Sequence, residues 1–114
     1  MTNPQEDADK LHEAVVIAMD DQEESYDYPE EVQFKIRQEQ QGDYIEAARF
    51  INLSGADVCI LEHEFGIFGG QNGVYILPLL HRLEIPLIVT LHTVLKTPSY
   101  NEKAILTEIC KMAT

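Results

Sequence analysis

Two short stretches carry most of the residues able to do chemistry: Glu62-His63-Glu64 and His92-Thr93. An imidazole changes charge near neutral pH, so His63 and His92 are candidates to carry protons or to exchange hydrogen bonds with sugar-type hydroxyls. The plainer reading of each is a strand-end histidine bonded to neighbouring main chain. His12 and His81 fall on helix-like stretches and read as structural. Oxygen and imidazole donors from Glu62, His63, Glu64 and His92 would suit zinc or manganese. However, adjacent strand residues point to opposite faces, so Glu62 and His63 do not share an ion without a bulge. The spacing matches no metal signature, and no metal or cofactor is expected.

Four glycines, Gly66, Gly69, Gly70 and Gly73, follow the first stretch. Such a run lets backbone amides approach a ligand, and a helix after it offers its positive end to an anion. The spacing is neither the dinucleotide fingerprint nor the P-loop, and a tight connecting loop explains it equally well. Asp20-Asp21, after an apolar run, suggests the alternative of a small non-catalytic binding or regulatory domain, such as a response-regulator receiver. A receiver wants a helix directly after the acidic pair and an Asp ending its middle strand. Here Pro29 and the alternating Val32, Phe34 and Ile36 follow, and the middle strand ends in Glu62-His63.

The elements that must position these residues are legible from periodicity. Residues 14–19 are a continuous apolar run, as in a buried strand, and residues 32–36 alternate with period two. Asp43 as N-cap, with Glu46 three residues on completing a box-like pair, reads as the start of a helix whose apolar face is Tyr44, Ala47, Ala48 and Ile51, stopped by Gly55. Residues 57–62 form a second buried strand. The glycine loop then leads into a helix through about Glu84, with Val74, Leu77, Leu80 and Leu83 as its stripe. Pro78 lacks an amide donor, so this helix either begins near Leu77 or kinks. Residues 85–91 are a third buried strand, and a last helix capped by Ser99 or Asn101 carries Ala104, Ile105, Glu108, Ile109 and Met112. Apolar strands alternating with helices predict an α/β, Rossmann-like parallel sheet with helices on both faces. Ligands of such sheets bind beyond the carboxyl ends of the strands, where Glu62–Gly73, His92-Thr93 and Asp20-Asp21 all fall.

The chain has 114 residues and a formal net charge of −12. Residues 1–31 hold eleven carboxylates and one cation, and the rest is nearly balanced with nine acids and seven bases. A polar leader at 1–12 and one domain at 13–114 follow from this profile. So few cations exclude a dedicated nucleic-acid binder and disfavour an anionic membrane surface. No apolar run is long enough to span a bilayer. An acidic N-terminus lacks the pattern of an export signal. The two widely spaced cysteines, Cys59 and Cys110, read as two buried free thiols of a cytoplasmic protein.

From Tyr28 to Thr97 the chain resembles the N-terminal domain of bacterial family 4 (group 1) retaining glycosyltransferases of GT-B architecture. The resemblance lies in Tyr28–Val32, Tyr44–Asn52, Glu62–Gly70 and Thr90–Leu95. It implies metal-independent sugar transfer from a nucleotide-sugar donor to a sugar or glycoconjugate acceptor, with retention. His92 matches a histidine that reaches the donor sugar in the interdomain cleft. His63, Glu64, Gly69, Gly70 and Thr93 match residues lining that cleft. Glu62 stands where relatives more usually carry Gln. Relatives also open with a strand and a glycine-rich donor loop, and add a nucleotide-gripping C-terminal domain; none of these has a counterpart in this sequence. The resemblance therefore implies an incomplete N-terminal domain, the acceptor-side half of the enzyme, inactive in isolation. A missing first strand would leave a sheet edge open to homodimerisation.

Overall fold

A computed structural model describes residues 14–20, 32–92 and 97–114. The leader at 1–12 with His12, the acidic residues from Asp21 to Glu31, and Thr93, Val94 and Leu95 lie outside the described residues.

The elements in order are β1 (Val16–Asp20), β2 (Val32–Arg37), α1 (Gln41–Leu53), β3 (Cys59–His63), a 3-10 turn (Gln71–Gly73), α2 (Ile76–Arg82), β4 (Leu87–Leu91) and α3 (Tyr100–Met112). The chain is α/β and its strands pair in parallel, as the apolar runs predict. Among the described residues they form two separate ribbons, β1–β2 and β3–β4, rather than one continuous sheet. The β1–β2 register slips once, between Val16 and Ile17. The β3–β4 register is regular, from Cys59 opposite Leu87 to His63 opposite Leu91.

Local chemistry explains most boundaries. Gly55 takes φ +80 just after α1, the left-handed stop that glycine adopts without strain. Asp43 does not cap α1 as its type suggests. It lies in the first turn, past the Gln40 cap position, where its carboxylate accepts from the Arg37 main chain (2.9 Å) and from two guanidinium nitrogens (2.8 and 2.9 Å). A bidentate guanidinium is a better partner for a carboxylate than a neutral amide, so the β2–α1 corner is tied by charge. These hydrogen bonds from Arg37 hold the Asp43 carboxyl below the usual range. Pro78 falls in the first turn of α2, which begins at Ile76; a missing amide donor costs nothing there. Ser99 caps α3 through a reciprocal box with Glu102.

The core is built from one face of each element. Tyr44, Ala47, Ala48 and Ile51 of α1 pack with Ile36, Leu61, Leu87, the α2 residues Ile76, Leu79 and Leu80, and Ile105 and Ile109 of α3. Burying each large aliphatic contributes roughly 1.5–3 kcal/mol. The other face of the β3–β4 ribbon is bare: Ile60 is 58% exposed and Ile88 50%, and Glu62 and Thr90 beside them are exposed too. Helices therefore cover one face of this ribbon among the described residues, where the apolar runs predict cover on both. The far end of α3 is fastened to the ribbon by Thr114, whose amide donates to the Leu87 carbonyl (2.7 Å) while its hydroxyl accepts from the Leu87 amide (3.1 Å).

No helix of the described residues is long and apolar enough to cross a membrane.

Candidate functional site

The carboxyl ends of β3 and β4 lie side by side because the two strands run parallel and in register. The ladder continues one step beyond β4, with the His92 amide donating to the His63 carbonyl at 2.8 Å. The two predicted histidines are therefore neighbours along the backbone, but their rings part company. Strand alternation sends His63 into the helix-covered interior, 1% exposed, and leaves His92 and Glu62 on the bare face. The cluster legible in sequence is thus split by the sheet into an inner and an outer half.

The outer half is an acid–base pair. Glu62 Oε2 lies 2.5 Å from His92 Nε2, joining the ends of the two strands through their side chains. Both side chains are half or more exposed. A polar contact so open to water adds little to stability, so stability does not account for bringing these two groups together. Glu64 is exposed just beyond.

The inner half is His63 among aromatic rings. Its ring meets Phe65 edge-on, with centroids 5.0 Å apart, and tilts against Phe68 at 5.7 Å. Its Nδ1 is buried and has no hydrogen-bond partner among the described residues. Burial pushes the His63 pKa down from the ordinary histidine range, which favours the neutral imidazole. An unpaired buried nitrogen costs ~1–3 kcal/mol, and a ligand or water that reached it would recover that loss.

The glycine loop follows β3, and the close approach it needs is to the protein itself. A Cβ on Gly69 would lie 1.8 Å from the Gln38 carbonyl oxygen, so only glycine fits. The Gly69 amide donates to the Tyr44 hydroxyl (2.8 Å), which in turn donates to the Gln38 carbonyl (2.8 Å). The Gly70 amide donates to the Glu39 carboxylate (3.3 Å), and Gln38 Nε2 donates to the Gly66 and Ile67 carbonyls, both at 3.0 Å. Burial raises the Tyr44 pKa, so its hydroxyl keeps its proton. The loop amides at 69 and 70 are thus held by β2-end and α1 residues. What Gly69 and Gly70 contribute to the strand ends is the shape of the loop. Sequence reasoning missed Tyr44, Gln38 and Glu39 as the holders of this loop. Tyr44 was visible only as a core residue, and nothing in its spacing signals a hydroxyl aimed across to position 69.

Asp20, the described member of the acidic pair, is buried and lies 3.7 Å from Lys35 Nζ. Thr93 is outside the described residues. Among the described residues, no three His, Cys, Asp or Glu side chains are grouped to hold a metal. A shallow cavity lined by Gln71, Asn72, Val74, Asn101, Ala104 and Ile105 lies between the 3-10 turn and α3. Comparison of the chain with protein-family models, curated proteins and solved structures finds no match.

Proposed function

We propose that this chain is the acceptor-side N-terminal domain of a retaining, GT-B-type glycosyltransferase, transferring a sugar from a nucleotide-sugar donor. The observation that carries the reading is the Glu62–His92 pair, exposed at the adjoining carboxyl ends of two parallel strands, where ligands of such sheets bind. In this reading His92 touches the donor sugar, and the glycine loop braced by Tyr44 gives the cleft wall its shape. Glu64 and Thr93 complete the acceptor side, and His63 supports it from within. In this reading the donor's nucleotide is gripped by a second domain. No metal or cofactor enters the reaction. The setting is cytoplasmic, in keeping with free thiols at Cys59 and Cys110, although Cys59 is only part-buried and Cys110 is exposed on α3 rather than buried as its helix-like stretch suggests.

The test is to join the chain to a nucleotide-sugar-binding domain and assay transfer from a panel of donors to glycan acceptors. Transfer is expected, and His92→Ala should abolish it while leaving the fold intact, because the His92 ring is half exposed. A folded, joined protein that transfers no sugar from any donor would sink the reading.

A further inference from the structure

We propose that Glu62 is a positioning residue for His92, fixing which ring nitrogen meets the ligand. The proposal deepens the transferase reading, on which its functional half rests. A carboxylate near neutral pH can only accept a hydrogen bond. Its contact with His92 Nε2 at 2.5 Å therefore requires the hydrogen to sit on Nε2. That condition is met by the neutral Nε2–H tautomer and by the imidazolium, and it is not met by the Nδ1–H tautomer. In the neutral ring Nδ1 is then a bare acceptor.

The surroundings are consistent with a ring held for a ligand rather than for the fold. The main chain of His92 is already anchored, its amide donating to the His63 carbonyl at 2.8 Å, so the Glu62 contact adds control of the ring alone. The pair stands on the bare face of the β3–β4 ribbon, continuous with Thr90 and with the apolar Ile60 and Ile88. The group this geometry takes is a hydroxyl, which donates to Nδ1; a polyol or sugar ring presents several such donors beside an apolar C–H face. The side chain that sets the tautomer of a histidine is commonly a carboxylate on the other nitrogen, and here the carboxylate arrives from the neighbouring strand.

Long-range proton–nitrogen NMR correlation on the 15N-labelled chain reads the tautomer directly, from the separate shifts of Nδ1 and Nε2 of His92. Recorded at a pH high enough for the ring to be neutral, the wild type should show one tautomer, with hydrogen on Nε2. Glu62→Ala should make the two nitrogen shifts converge, as the ring samples both tautomers. Glu62→Gln, whose amide oxygen can still accept, should restore the separation. The amide shifts of β3 and β4 report that each variant is folded. Averaged nitrogen shifts in the wild type, or a Glu62→Ala spectrum identical to it, would overturn the proposal. If the alanine variant unfolds, Glu62→Leu, which keeps the side-chain bulk but cannot accept, makes the same comparison and should likewise make the two shifts converge. In the joined transferase, Glu62→Ala should lower kcat more than it changes KM. If the joined protein has no activity, the transferase reading fails while the tautomer result stands.

Discussion

At the scale of single residues, His63 couples folding to acidity. Burial holds its pKa below the ordinary value, so the unfolded chain binds the proton more readily than the folded one. Above pH ~6.5 both forms are neutral and there is no penalty; as pH falls below that, stability is lost until the folded-state value is passed. His63→Phe replaces the unpaired nitrogen with carbon beside Phe65 and Phe68. It should raise stability at neutral pH by roughly 1 kcal/mol and flatten this acid-dependent slope, as measured by urea unfolding above and below the histidine range. An unchanged slope would show that other groups govern the response. The substitution should also weaken any ligand contact at the inner side of the strand ends, because groups costly to the fold are often kept for function. The two histidines were visible in sequence as chemistry-bearing residues. Their separation onto two faces follows from strand alternation, but only once the strand is known to run through His63 rather than to end at Glu62.

At the scale of elements, the turn after β2 and the loop after β3 act as one unit, since Gln38, Glu39 and Tyr44 hold the loop from one side. Gly69→Ala places a methyl carbon against the Gln38 carbonyl, a backbone atom that can retreat only by moving the whole turn. It should destabilise the chain by about 3 kcal/mol or more. Gly42→Ala, in the first turn of α1 with nothing within 4 Å of the added carbon, should instead stabilise by roughly 0.5–1 kcal/mol. Thermal unfolding of the two variants tests the contrast, and equal effects would mean that the loop gives way easily. The elements themselves were largely legible: strands and helices fall where apolar periodicity puts them, and Pro78 falls in a first turn as its missing donor demands. Asp43 misled because capping preference is a local signal, and Arg37, arriving from β2, offered a stronger partner. The glycine spacing was ambiguous for a related reason. Close approach to a phosphate and close approach to another backbone both require a missing side chain, and sequence does not distinguish them.

At the scale of the whole molecule, the described residues form two parallel ribbons where one sheet is expected, and parallel strands are ordinarily covered on both faces. The alternation of apolar strands and helices made the α/β class legible. It carries no information on which strand edges find partners. Among the described residues, Ile60 and Ile88 remain open beside unpaired strand edges, a surface suited to self-association. Sedimentation of the wild type should therefore depend on concentration, and Ile60→Lys with Ile88→Lys should shift the chain toward monomer. A wild type that stays monomeric at high concentration would show that these edges are harmless. The Thr114 clasp has a different consequence, for anyone engineering the chain. It pins residue 114 to Leu87, at the amino end of β4, whereas His92 lies past the carboxyl end. At ~3.3 Å per residue, the path back along the strand is on the order of 16 Å. A second domain fused after Thr114 reaches His92 only through a tether of at least about five extended residues, and a shorter joint would either tear the clasp or hold the two halves apart.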